Sequence, residues 1–200
     1  MSITLDALTK STEPVFAHTC SGTDRLLVVM VAFVPMNGQE IVSVKYGGVD
    51  MTTYCIQTED KLSLCKAHLA GPAEGTHDVE VVLTDGATML CKAASFNGVS
   101  QSMPIWKKTD GVGKMVKEIP INTFLKTGGL TLGVGAVNDV EAGNDKLYDN
   151  QVLVWDDIDN GLRMDGISAL GTADYDSIPL PNKLTKSSYW AVIIIGVNPS

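Results

Sequence analysis

The sequence predicts an all-β chain folded as a single antiparallel β-sandwich, jelly-roll-like in form. Three observations carry that expectation. Short apolar or alternating runs recur along the 200 residues, separated by Gly, Asn, Asp and Pro, which is how strands and turns are spaced. One run, "RLLVVMVAFV" (25–34), is almost unbroken and rich in valine, as a strand covered on both faces would be. Helical periodicity is nearly absent, a short helical turn near "NTFLKT" (122–127) being the one exception.

Taken in order, residues 1–13 are polar with scattered apolar positions and are expected to form an N-terminal arm, leaving 14–200 as the sandwich domain. "EIVSVKYGG" (40–48) alternates, so one of its faces should be wet. "VDMTTYCIQ" (49–57) and "KLSLCKAHL" (61–69) read as a hairpin around Glu59, Asp60 and Lys61. "GPAEGT" (71–76) is a turn cluster, after which "HDVEVVLTDG" (77–86) alternates as far as Asp85-Gly86. "ATMLCKAASF" (87–96) leads into Asn97-Gly98, a pair that reaches positive φ cheaply and lets a core strand turn away across the sheet edge. Pro104 bars an immediate return to a central strand, so 103–113 is expected as a loop. The remaining runs are 114–121, 129–137, 150–157, 162–171 and 188–197, for about eleven strands in all.

A net charge of −8 and a pI near 4.7 argue against nucleic acid or anionic lipid as the principal ligand, since both demand a basic surface. "MSITLDALTKSTEP" lacks the charged and apolar regions of a secretory signal, and "WAVIIIGV" (190–197) is far short of a membrane span. Synthesis in the cytosol is the expectation. Cys20, Cys55, Cys65 and Cys91 show no zinc spacing. The turn at Glu59, Asp60 and Lys61 would set Cys55 opposite Cys65, close enough to bridge, but the compartment favours four free thiols.

Chemistry is hard to assemble. His18, His68 and His77 have no carboxylate or cysteine at metal-like spacing and read as structural. "GISAL" (166–170) lacks the second glycine of a nucleophile elbow. "DGVGKM" (110–115) and "GVGAVN" (133–138) miss required residues of the phosphate and dinucleotide loops. No enzyme is expected. Acidic connections at 137–150 and 155–166 could supply oxygens to calcium, yet Gly161 and Ser168 stand where ligands belong, so solvated turns explain them and no cofactor is expected. Aromatics are sparse, and Trp155 and Trp190 lie within strand runs. Trp106, beside Lys107 and Lys108, is expected in a loop after Pro104, either exposed or folded back over an edge strand, and with Met103 and Ile105 it makes the candidate partner-binding segment.

The motifs Y-G-G-V-x-M-T (46–52), L-x-G-P-x-x-G-T (69–76) and F-N-G-V-x-Q (96–101) give the chain, from about Asp24 onward, a pattern that resembles a diffuse group of β-sandwich domains. Those domains occur in tailed-phage virion proteins and bacterial surface proteins. The resemblance implies attachment rather than catalysis: a capsid decoration or cement protein bound to the major capsid protein, as a homo-oligomer such as a trimer, located in the virion after synthesis in the host cytoplasm. A tail-fibre or spike module that binds carbohydrate or a receptor is the alternative.

Overall fold

A computed structural model describes residues 2–35, 38–59, 61–138, 151–159, 161–170 and 175–200, without the side chains of 114–123, 125, 151–155, 167, 170 and 175–187. The described chain is all-β and antiparallel, as predicted. Its strands are β1 (Thr4–Ser11), β2 (Val15–Cys20), β3 (Leu26–Phe33), β4 (Ile41–Tyr46), β5 (Val49–Asp50), β6 (Thr52–Thr58) and β7 (Leu62–Ala70). They continue as β8 (Gly75–Leu83), β9 (Met89–Asn97), β10 (Ile105–Leu125), β11 (Leu130–Val137), β12 (Gln151–Asp159), β13 (Leu162–Leu170) and β14 (Tyr175–Val197).

Three sheets form, so the sandwich has one more layer than a simple pair. The middle sheet runs β1-β9-β3-β7-β6, the front sheet β2-β8-β4-β5 and the back sheet β10-β14-β11-β13-β12. The unbroken apolar run explains the layering. All eight residues of β3 are buried, and alternate side chains leave by opposite faces. Leu26, Val28, Met30 and Ala32 enter a core shared with the back sheet. Leu27, Val29, Val31 and Phe33 enter a second core shared with the front sheet. Burying each of these side chains but Ala32 stabilises by roughly 2 kcal/mol.

Several expectations change. Residues 4–11 are an edge strand of the middle sheet and no free arm: β1 pairs with β9 from Thr4↔Asn97 to Ser11↔Cys91, and Ile3 is buried. The segment expected as a loop at 103–113 is mostly the start of β10, which pairs with β14 from Ile105↔Val197 to Leu125↔Tyr175 with several register shifts. Residues 122–125 of the helical turn expected at 122–127 are the end of that strand, and 126–127 lead into the turn to β11. Cys55 and Cys65, expected as free thiols, are bonded, because they face each other on β6 and β7 with Cα atoms 4.0 Å apart. Cys20 and Cys91 are free and buried.

The three turn motifs meet at one end of the molecule. Gly47 and Gly48, both at positive φ, close the two-residue hairpin between Tyr46 and Val49. The Tyr46 hydroxyl donates to the carbonyls of Gly75 (3.0 Å) and His18 (3.2 Å). Arg25 Nε donates to Pro72 O, and Gln101 Nε2 to Arg25 O. At the F-N-G-V crossing Gly98 has φ +72°, and a Cβ there would lie 2.8 Å from Ser2 O. The crossing is sewn to the C-terminal segment by Ser100 N to Asn198 O and Ser200 N to Gly98 O. The strand end therefore holds the middle and back sheets together.

Candidate functional site

Charged side chains tie the layers at both sides of the middle sheet. Lys10, Lys92, Met30 and Lys66 form one cross-strand row over β1, β9, β3 and β7. At one end Lys92 Nζ reaches Asp157 at 2.7 Å and Lys10 Nζ reaches Asp159 at 3.2 Å, both on β12. Asp156 pairs with Arg163. The acidic segment 155–166, a candidate for calcium, thus has three of its described carboxylates engaged in ion pairs. No cluster of metal-ligand type occurs among the described residues, and 139–150 lies outside them.

At the other end the Tyr54 hydroxyl donates to Asp110 Oδ1 at 2.8 Å, joining β6 to β10, and Lys108 Nζ sits over the Tyr54 ring. Lys66 is only 4 % exposed, with Nζ 3.0 Å from His68 Nδ1. Burial, helped by the charge of Lys108, brings the Lys66 ammonium down to about 8. Burial, helped by Lys66, brings His68 down to about 4.

The other two histidines are also held by neighbours in the fold. His18 is buried, bonds Thr9 Oγ1 through Nδ1 at 2.8 Å, and is held below its ordinary value by burial. His77 Nε2 donates to Glu74 O, and its ring meets Tyr46 edge-on.

The candidate contact segment is divided between two directions. Asn198 anchors its backbone, donating through N to Pro104 O and through Nδ2 to Met103 O. Met103 is 58 % exposed. Ile105 packs into the core beneath the back sheet, and Lys108 turns toward β6. A register shift between Ile105 and Lys107 is a bulge, which re-aims side chains. Trp106 packs instead on the cluster of Phe124, Val137, Trp190, Val192 and Ile194, away from the core that takes Ile105. Trp106 is half-buried and folded back over β14, the second of its two expected placements, although it stands in a strand and not in a loop. It meets Phe124 edge-on at 5.1 Å, and it lies so close over β14 that a Cβ at Gly196 would fall 2.5 Å from its Nε1.

Two ammonium groups stand over this aromatic pair. Lys107 Nζ is 5.9 Å from the Trp106 ring centre and 5.1 Å from that of Phe124. Lys126 Nζ is 5.8 Å from Trp106 and donates to Asn198 Oδ1 at 2.8 Å. Cations over ring faces are attracted by the π quadrupole. The result is a small basic surface around half-buried Trp106 on an acidic protein, with the Phe124 ring buried beneath it. Phe124 and Lys126 escape a reading of the sequence because only the fold carries "NTFLKT" back to Trp106; an aromatic followed two residues later by lysine is the one available sign.

No protein-family model, curated protein or solved structure matches this chain.

Proposed function

We propose that the chain is a structural virion protein, a decoration or cement protein that docks on the major capsid protein as a homo-oligomer and stabilises the shell. The observation that carries the docking is half-buried Trp106, backed edge-on by the buried Phe124 ring, with Lys107 and Lys126 beside it and the chain before it fixed by Asn198. Aromatic anchors beside cations are favoured centres of protein contact. The virion as the setting rests on the sequence resemblance. The Cys55–Cys65 bond accords with a working life outside the reducing cytosol.

Light scattering and co-sedimentation with undecorated capsids test the reading. An oligomer that binds capsids, more weakly at high salt and at least about tenfold more weakly after Lys126→Glu, would support it. A monomer indifferent to capsids would sink it. Binding to a glycan array that Trp106→Ala abolishes would favour the receptor-binding module instead.

A further inference from the structure

We propose that the Cys55–Cys65 bridge is a site of thiol–disulfide exchange with a low-molecular-weight thiol, which enters from the pocket beside β6. The two sulfurs differ in access. Cys55 lies on the edge strand of the middle sheet and is exposed, whereas Cys65 is 1 % exposed. A pocket of about 260 Å³ adjoins the bridge and is lined by both cysteines together with Phe33, Glu40, Ile41 and Gln57. It offers apolar wall to a carbon skeleton, and polar groups to the amide or ammonium groups of a cysteinyl peptide.

The fold has little need of the bond. β6 and β7 already pair over seven residues, from Thr52↔His68 to Thr58↔Leu62. The cysteines are ten residues apart, so the closed loop is short and its contribution on chain-entropy grounds is at most about 3 kcal/mol. The other two cysteines are poorly placed to compete. Burial raises both thiols, Cys91 to about 12, and thiol rather than thiolate is inert.

The exchange balances without an outside oxidant. An incoming thiolate RS⁻, its proton already lost to water, attacks the exposed Cys55 sulfur. The new R–S–S bond forms on Cys55 as the Cys55–Cys65 bond breaks. Cys65 leaves as a thiolate and, being buried beside Phe33, takes a proton from water. A second thiolate then removes R as the symmetrical disulfide RSSR, leaving two thiols. Opening the bridge leaves β6, with Tyr54 and its tie to Asp110 on the back sheet, held to β7 by the seven-residue pairing alone.

The test uses the whole oxidised protein with reduced glutathione, followed by intact mass and peptide mapping. The expected result is a mixed disulfide on Cys55, then free thiols at 55 and 65, with Cys20 and Cys91 unmodified by iodoacetamide throughout. The rate should not change with urea well below the unfolding midpoint. Cys65→Ser, given oxidised glutathione, should hold a stable adduct on Cys55, while Cys55→Ser should label at least about tenfold more slowly, as a thiol gated by opening would. Exchange that rises with urea as unfolding does would overturn the proposal. So would a protein that, purified in air without reductant, carries four thiols.

Discussion

Lys66 gives the sharpest prediction, because the fold is better off without its charge. The side chain is 4 % exposed and its folded value is about 8, against an ordinary 10.5. A shift of that size corresponds to roughly 3 kcal/mol, the cost of keeping an ammonium among Leu-rich strands. The sign is set by proton counting. Between pH 8 and 10.5 the unfolded chain holds the Lys66 proton and the folded chain does not, so the stability of the unaltered protein rises with pH through that window. Below pH 8 both states are charged and the full cost is present. Lys66→Met keeps the length and removes the charge, and should raise stability at pH 7 by about 1–3 kcal/mol, or several degrees in Tm. Urea unfolding of both proteins from pH 7 to 10.5 is the assay, and the gap between them should close as pH rises. A Met variant that is less stable at pH 7, or a gap that stays constant with pH, would refute the reasoning. Either result would mean that His68 Nδ1 satisfies the ammonium more fully than burial penalises it.

Three further outcomes are expected. His68 has a folded value near 4 against 6.5 unfolded, so below pH 6.5 the unfolded state takes up the proton first and stability falls as pH drops toward 4. The loss is about 1–2 kcal/mol after allowing for solvent screening of a half-buried ring, and urea midpoints at pH 7 and 4.5 should show His68→Gln less sensitive than the unaltered chain. Gly98→Ala should cost roughly 2–3 kcal/mol in thermal melts, since its φ is +72° and its new methyl would meet Ser2 O; Gly86→Ala, with open space around it, should be near neutral. Asp157→Ala removes the carboxylate 2.7 Å from the 8 %-exposed Lys92 and should cost about 1–3 kcal/mol, most of it recovered by adding Lys92→Met.

How much of this is legible in the sequence depends on where a residue's partners lie. "LLVVMVAF" announces burial on both faces from its own composition, and Asn97-Gly98 announces a turn from its own backbone. The hairpin around Glu59 and Lys61 is readable for the same local reason, and it sets Cys55 opposite Cys65; the compartment rule, and no feature of the geometry, points away from the bond. β10 is not legible. "WKKTDGVGK" shows few apolar residues because its edge position and bulge relax the alternation that marks a strand. The first half of β14 is not legible either: Pro179 and Pro181 lack the N–H of a ladder residue, yet they stand opposite Asn122 and Pro120. The aromatic surface depends on Phe124 arriving beside Trp106. That meeting is a property of the folded path alone.

The row of lysines across the middle sheet matters most before the protein is finished. The middle sheet is complete in sequence by Asn97, whereas the back sheet starts at Ile105 and ends at Val197. A chain leaving the ribosome therefore holds a five-stranded sheet with Leu26, Val28, Leu64, Leu90 and Ala94 bare on one face until the last strand arrives. Such faces and edges are where nascent chains associate wrongly. Ammonium groups pointing from β1, β7 and β9 into that face make it a poor surface for another copy. Refolding at rising chain concentration should therefore lose more Lys66→Met protein to aggregate than unaltered protein.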